Sequence, residues 1–359
     1  MNNCRRPYEK QELTTNNTSM KTSILTICFF LTFFCHAQNT NYENLVLEGA
    51  GIRGIAYVGA IEALEKNGVL SNIKNVGGTS AGAIIALTIS LGYTPEEIEK
   101  ILFETNFNKF NSGSFFLFGG PSRLRKRYGW YNAKKFSRWL DKIIEDKTGN
   151  GDITLAEINA ITGRDLFVVV TNLSQQKLVV FSKDNFPNMK VKDAVRTSMS
   201  IPLYFEAVLI DKQGKIHRKQ AAGNPFDVYV DGGISGNYPI QIFDSTYIED
   251  NVLVRVPNPK TLGIKIDETE QIQKDRTDQN LVPQDIHNFR DYIQAFYVYT
   301  LENLNRCNMT IEDWDRTILV ASAGLGPKVK KLSKTTKNLL VQSGRDGVLE
   351  FFKHQQINE

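Results

Sequence analysis

Cysteine is scarce: four in 359 residues, with Cys4, Cys28 and Cys35 all in the first 37 positions and Cys307 alone beyond them. A disulfide framework is therefore excluded for the remainder, and one thiol among scattered histidines gives no spacing that suits zinc or another metal. Histidine is also rare, at four residues: His36, His217, His287 and His354. None of them closes a strand beside a glycine, so a histidine-based catalytic centre has few candidates. Charge of one sign is lacking as well. Lysine plus arginine number 43 against 39 aspartate plus glutamate, a balance that gives no electrostatic reason for a nucleic-acid partner. Long hydrophobic runs, internal repeats and low-complexity tracts are absent beyond the N-terminus. What remains is ordinary globular composition, 41% hydrophobic and 23% charged, enough to build a substantial core.

The first 37 residues differ from the rest. Met20-Lys21, an apolar run from Ile24 to Phe34, and the ending Cys35-His36-Ala37 before Gln38 have the layout of a secretory signal. Its apolar part is too short to span a bilayer comfortably. The expectation is an N-terminal extension and signal peptide over residues 1–37, a start at Met1 or Met20, and an exported chain beginning near Gln38. A short membrane anchor is the alternative. Periplasm, outer membrane and secretion are equally compatible with export.

From Asn44 apolar runs alternate with helical periodicity. Asn44–Glu48 and Ile73–Val76 read as short strands ending in glycines, Ile55–Lys66 and Ala81–Leu91 as helices behind them. Thr94-Pro95-Glu96-Glu97 opens another helix with a cap, a proline at its first position and acids in its first turn. Asp165–Leu173, Lys177–Ser182 and Phe226–Val230 are β-rich, as are the later runs TLGIKI and TILVAS. Tyr131–Glu145 and Asp285–Arg306 read as helices, and the polar stretch Asp267–Gln284 as a surface excursion. Such alternation predicts an α/β fold around a mostly parallel sheet, in one domain over residues 38–359.

Gly49-Ala-Gly51-Ile-Arg-Gly54 spells the G-x-G-x-x-G of a dinucleotide-binding turn. That reading needs a carboxylate about twenty residues on, at the end of the next strand. The window Gly68–Asn75 contains none. The second strand leads instead into Gly78-Thr-Ser80-Ala-Gly82, a G-x-S-x-G between strand and helix, the context in which flanking glycines let a serine hydroxyl project from a strained turn. A serine hydroxyl needs a base within hydrogen-bond reach. Asp231 closes the run Phe226–Val230 and precedes Gly232-Gly233, at the strand end where α/β sheets gather their sites. A carboxylate there can meet Ser80 directly.

EGAGIRG after the first strand, GTSAG after the second and DGGISGNYP (Asp231–Pro239) after a later one resemble, in that order, the patatin-like phospholipases of bacterial, secreted type. VKDAVRTSMSIPLYFEAV (Val191–Val208) is similar to the family's segment before its aspartate. The likeness covers residues 44–267 and is vaguer over 268–359. It implies a patatin-like three-layer α/β sandwich and a Ser-Asp dyad, with Ser80 as nucleophile and Asp231 as base. It also implies an oxyanion hole from the N–H groups of Gly49, Ala50 and Gly51. Arg53 matches the family's basic loop residue, orienting the loop or meeting a phosphate. Gly54, Gly78, Gly82, Gly232 and Gly233 support the turns, and Asn237-Tyr238-Pro239 fixes the path after the aspartate. Ala50 stands where the family more often has glycine, which bears on its donor role because Cβ restricts positive φ.

The resulting expectation is a lipid acyl hydrolase without cofactor or metal, working on lipid at a membrane or micelle surface through an acyl-serine intermediate. A dinucleotide-dependent enzyme, a Ser-His-Asp esterase and a non-catalytic lipid- or partner-binding protein are the rivals. Phe115–Phe118 followed by Arg123, Arg125, Lys126, Arg127 and Trp130 suits an anionic bilayer surface, or else a buried segment followed by a solvated charged face. Lipid class and oligomeric state have no sequence signal.

Overall fold

Asn44-Leu-Val-Leu47 forms β1, and every one of its residues is buried. It pairs in parallel on both edges, with β2 (Asn75–Thr79) on one side and β8 (Thr261–Asp267) on the other. A strand apolar on both faces must be covered on both. The computed structural model describes residues 41–110, 119–217 and 226–358, apart from 276, 278–279, 290, 293–294, 297–298, 300–305, 307–308 and 327–331. The expected signal segment, all four cysteines, His36 and Phe115–Phe118 lie outside the described residues, as does part of the expected helix Asp285–Arg306.

Among the described residues the main sheet has nine strands. In chain order the others are β3 (Asp165–Asn172), β4 (Lys177–Phe181), β5 (Val208–Ile210), β6 (Ile216–His217), β7 (Asp227–Asp231) and β9 (Thr317–Ala321). Their spatial order is β9-β8-β1-β2-β3-β7-β5-β6, with β4 also on β3. The half from β9 to β3 is parallel, while β4, β7, β5 and β6 join antiparallel. The fold is thus an α/β sandwich with a mixed, mostly parallel centre, as the resemblance implied. Residues 41–359 form one compact unit.

Two sequence readings need correction. Strand β2 does not stop at Gly77-Gly78 but runs through both to Thr79. The glycines serve close packing: a Cβ on Gly77 would lie 2.4 Å from Ile242 Cδ1, and one on Gly78 would lie 2.5 Å from the Gly82 carbonyl. The polar stretch after Asp267 is not wholly a surface excursion either. It opens with a helix, Thr269–Asp275, whose Gln271, Ile272 and Asp275 are buried.

Helix α1 (Ala56–Lys66) follows the first glycine loop, α2 (Ala81–Ser90) follows Ser80, and α3 (Val191–Ser198) packs on β3 and β7. Helix α2 is buried over all but its first residue, so it is a core helix with no polar face. The C-terminal helix α4 (Lys334–Asn358) lies on α1 at backbone contact. A Cβ on Gly59 would sit 1.8 Å from Val341 O, and one on Gly344 would sit 2.0 Å from Ala56 O. The helix at Pro95–Glu104 has the expected cap at Thr94, and Glu97 completes a capping box, with each side chain bonded to the other's backbone N–H.

Candidate active site

Ser80 and Asp231 are 151 positions apart, and β3 brings them together by register. Strand β2 runs up one edge of β3 and ends with Thr79 opposite Val169. Strand β7 comes down the same edge from the other direction and ends with Asp231 opposite Val170. The opposite edge is taken by β4. The two strands therefore abut end to end at consecutive positions of β3, about 3.4 Å apart along it. Close packing at this junction requires Gly232, whose Cβ would lie 2.3 Å from Val169 O and 3.0 Å from Thr79 Cγ2. A Cβ on Gly233 would come within 3.0 Å of Asp231 Oδ1.

Ser80 has φ +52 and ψ −119, a conformation that costs a non-glycine residue on the order of 1–3 kcal/mol. Its surroundings hold it there. The Ser80 N–H donates to Ser198 Oγ at 2.8 Å, and that hydroxyl donates to Val169 O at 2.6 Å. The Ser80 carbonyl accepts from Ala83 and Ile84 and so starts α2. Gly82 lets α2 approach the end of β1, since a Cβ there would stand 2.4 Å from Leu47 O. The Ser80 hydroxyl projects from the turn and makes its hydrogen bond to Met199 Sδ, at 3.3 Å.

Asp231 is almost wholly buried. Its backbone N–H donates to Ser200 O, and its Oδ1 accepts from the Gly233 N–H at 2.7 Å. Oδ2 is buried and takes no hydrogen bond among the described residues. Burial raises the pKa of the carboxyl to about 6, opposed by the Gly233 N–H and the nearby Ser80 hydroxyl. Ser80 thus lies close enough to favour the ionised carboxylate, while its hydroxyl is turned toward sulfur, a weak acceptor. The described histidines are elsewhere. His217 bonds Asp211 at 2.6 Å and stacks on Phe226 at the sheet's edge strand, and His287 and His354 are exposed.

The first glycine loop lies beside this pair, with one difference from expectation. The Gly49 N–H already donates to Asn237 O at 2.9 Å, so it is not a free oxyanion donor. Gly49 is glycine for another reason: a Cβ would fall 2.3 Å from Asn237 Oδ1. Ala50 has φ −118 and ψ −1, an ordinary conformation, and positive φ falls on Gly51 at +55. Gly51 opens the short 3-10 helix Gly51–Ile55, whose first N–H groups have no acceptor within the helix. Ala50 and Gly51 are the donors this geometry leaves available. The Arg53 side chain is buried, and its Nε donates to Ala50 O within the loop at 3.3 Å. Gly54 brings the loop against α2, where a Cβ would meet Ala81 Cβ at 3.3 Å.

Sequence reading assigned no role to Glu48, Ser198, Met199 or Ser200. Glu48 accepts from Ile266 N–H (2.9 Å), Lys265 Nζ (3.1 Å) and Asn237 Nδ2 (3.2 Å), tying the glycine loop to the segment after Asp231. Lys265 also bonds Asp267, which pairs with Arg306, and Arg306 pairs in turn with Asp275. The EGAG motif was the available signal for Glu48. For Ser198 and Met199 there was only their place in the Val191–Val208 segment. Among the described residues no group of three or more His, Cys, Asp and Glu is placed to hold a metal ion.

The profile of the patatin-like phospholipases matches residues 45–244, from β1 past the Asp231 loop. The chain belongs to this family. It shares 34% identity over 284 residues with uncharacterized protein R571 of Acanthamoeba polyphaga mimivirus, covering 79% of this chain and 84% of that one. It is 27% identical over 207 residues to the probable lipid hydrolase 463L of Invertebrate iridescent virus 6, covering 56% and 63%. Among solved structures, VipD from Legionella pneumophila aligns over 88% of this chain and 67% of its own, with a TM-score of 0.54 and 16% identity, a likeness of fold.

Proposed function

We propose that this patatin-like protein is a lipid acyl hydrolase that cleaves carboxylic esters of phospholipids or neutral lipids with a Ser80–Asp231 dyad. The observation that carries the reading is the buried, unpartnered Asp231 Oδ2 beside a serine held in a strained turn. An unpaired buried polar atom is costly, and such groups persist where chemistry uses them. Asp231 accepts the Ser80 proton as Oγ attacks the acyl carbonyl. The oxyanion is met by the N–H groups of Ala50 and Gly51, and each such donor contributes about 3 to 4 kcal/mol of transition-state stabilisation. The protonated carboxyl then passes its proton to the departing alcohol. Water, deprotonated by the same carboxylate, releases the acid from acyl-Ser80. Burial makes Asp231 a stronger base than a solvated carboxylate, which is what a dyad without histidine requires.

Membership of the family and similarity to a probable lipid hydrolase support the substrate class. Export is part of the same proposal and rests on the signal-like residues 1–37; N-terminal sequencing of the native protein tests it. The Ser80–Met199 contact favours one rival, a lipid-binding protein that keeps the fold without turnover. A fluorophosphonate probe separates the two: labelling of the wild type and none of Ser80→Ala supports the hydrolase, whereas an unlabelled wild type supports the binder.

A further inference from the structure

A pocket of about 340 Å³ opens beside the helix Gly119–Arg127, away from the residues assigned to catalysis. Its walls carry four cations, Arg123, Lys126, Arg127 and Lys134, against one carboxylate, Glu206. That carboxylate is buried and committed: Arg127 Nη1 binds it at 3.2 Å. Arg123 is oriented by a bond from Nε to Trp130 O at 2.9 Å. The ammonium groups of Lys126 and Lys134 make no ion pair or hydrogen bond among the described residues. A pocket with surplus positive charge attracts an anion, and its geometry suits the phosphate of a lipid headgroup or free phosphate equally well.

The rim distinguishes these two sources. Gly129 pairs with Leu203 in a small parallel ladder next to the pocket, and Tyr128 precedes Gly129. Leu203 has φ +66 and is 69% exposed, and Tyr128 has φ +63 and is 44% exposed. Left-handed backbone is disfavoured for a leucine or a tyrosine, whose Cβ crowds the following carbonyl. Here that strain accompanies two large side chains exposed to water, one of them next in the chain to Arg127 of the pocket wall and the other three residues before its Glu206. A soluble phosphate would gain nothing from them. A bilayer accepts both, with apolar side chains in the acyl boundary and cations on the phosphates.

We propose that the pocket and its rim dock the protein on an anionic bilayer, Lys126, Lys134 and Arg123 on lipid phosphates and Leu203 and Tyr128 in the interface. The choice of a lipid partner rests on the lipid-hydrolase reading, but the docking itself needs no turnover. The segment that carries Leu203 also carries the active-site contacts. Ser200 O receives the Asp231 N–H, Ser200 Oγ bonds Arg196 O, and Arg196 Nη2 bonds Glu206 O in the pocket wall. Docking therefore bears on the strand of chain that holds Met199 over Ser80.

The test uses the full chain carrying Ser80→Ala, so that its outcome is independent of hydrolysis, in flotation with vesicles of phosphatidylcholine alone or mixed with phosphatidylglycerol. Binding is expected to favour the mixed vesicles and to weaken with salt. Lys126→Gln with Lys134→Gln should lower it by about fivefold per lysine, roughly twenty-five-fold together, and Leu203→Ser should lower it further. Lys126→Arg with Lys134→Arg keeps the charge and should keep binding, which controls for folding. Equal binding by the glutamine and arginine pairs overturns the proposal, as does equal binding of the parent to both vesicle types. Inorganic phosphate that binds the parent in solution and displaces it completely from mixed vesicles would make this a soluble-anion site and also overturn it. If vesicles bind as expected while no ester is cleaved by the wild type, docking stands and the hydrolase reading fails.

Discussion

Replacing Asp231 with asparagine should stabilise the fold while removing its chemistry. The folded-state pKa is raised by burial from 3.8 to about 6, a little over two units. Each unit corresponds to about 1.4 kcal/mol, so the ionised carboxylate costs the native state on the order of 3 kcal/mol at neutral pH. Because the folded pKa lies above the unfolded one, the native state binds the proton more tightly between these values. This contribution to stability is fully present below pH 3.8 and is lost as pH rises through about 6. Asparagine has the same shape without the charge, so Asp231→Asn should match the wild type near pH 4 and exceed it at pH 8. For a chain of this size the difference amounts to several degrees in melting temperature. Thermal and urea unfolding of both proteins at the two pH values measures it. A variant less stable than the wild type at pH 8, or a difference independent of pH, would refute the claim that Asp231 is a desolvated carboxylate kept for function.

Ester hydrolysis should rise with pH through a midpoint near 6, because Asp231 must be ionised to accept the serine proton; the kcat/KM profile checks this, and the profile should survive joint replacement of His217, His287 and His354. Met199→Leu keeps bulk but removes the sulfur that holds the Ser80 hydroxyl, and freeing one weak hydrogen bond should speed probe labelling by about two- to tenfold. Gly344→Ala places a Cβ 2.0 Å from Ala56 O at the α1–α4 contact, and a loss of about 3 kcal/mol or more is expected in urea unfolding because backbone cannot yield as a side chain does. Gly49→Ala drives Asn237 from the loop it anchors and should abolish esterase activity while leaving the protein folded by circular dichroism.

Much of the candidate site's backbone was legible because its turns are local. A serine between Gly78 and Gly82 and an aspartate before Gly232-Gly233 each announce a special turn within five residues. The parallel strands were readable from continuous apolar runs such as Asn44–Leu47. Of the antiparallel strands, β4 and β7 were readable as the β-rich runs Lys177–Ser182 and Phe226–Val230, whereas Val208–Ile210 and Ile216–His217 are too short for any periodicity. Contacts made across long separations were also silent. Ser198 reaches Ser80 over 118 positions and Lys265 reaches Glu48 over 217, and neither residue type in its own surroundings indicates its partner. The engaged Gly49 N–H follows from Asn237 folding back onto it, which the loop sequence alone could not show. Asp275 read as one more charge in a polar stretch, yet Arg306, 31 positions on, pairs with it where it is buried.

The most direct measurement is the site and rate of acylation. Incubating the protein with an activated carboxylic ester and mapping the adduct by mass spectrometry should place the acyl group on Ser80, with Asp231→Asn acylating at least a thousandfold more slowly, about 4 kcal/mol of barrier. An adduct on another residue, or acylation of Asp231→Asn at the wild-type rate, would contradict a mechanism in which these two side chains act together.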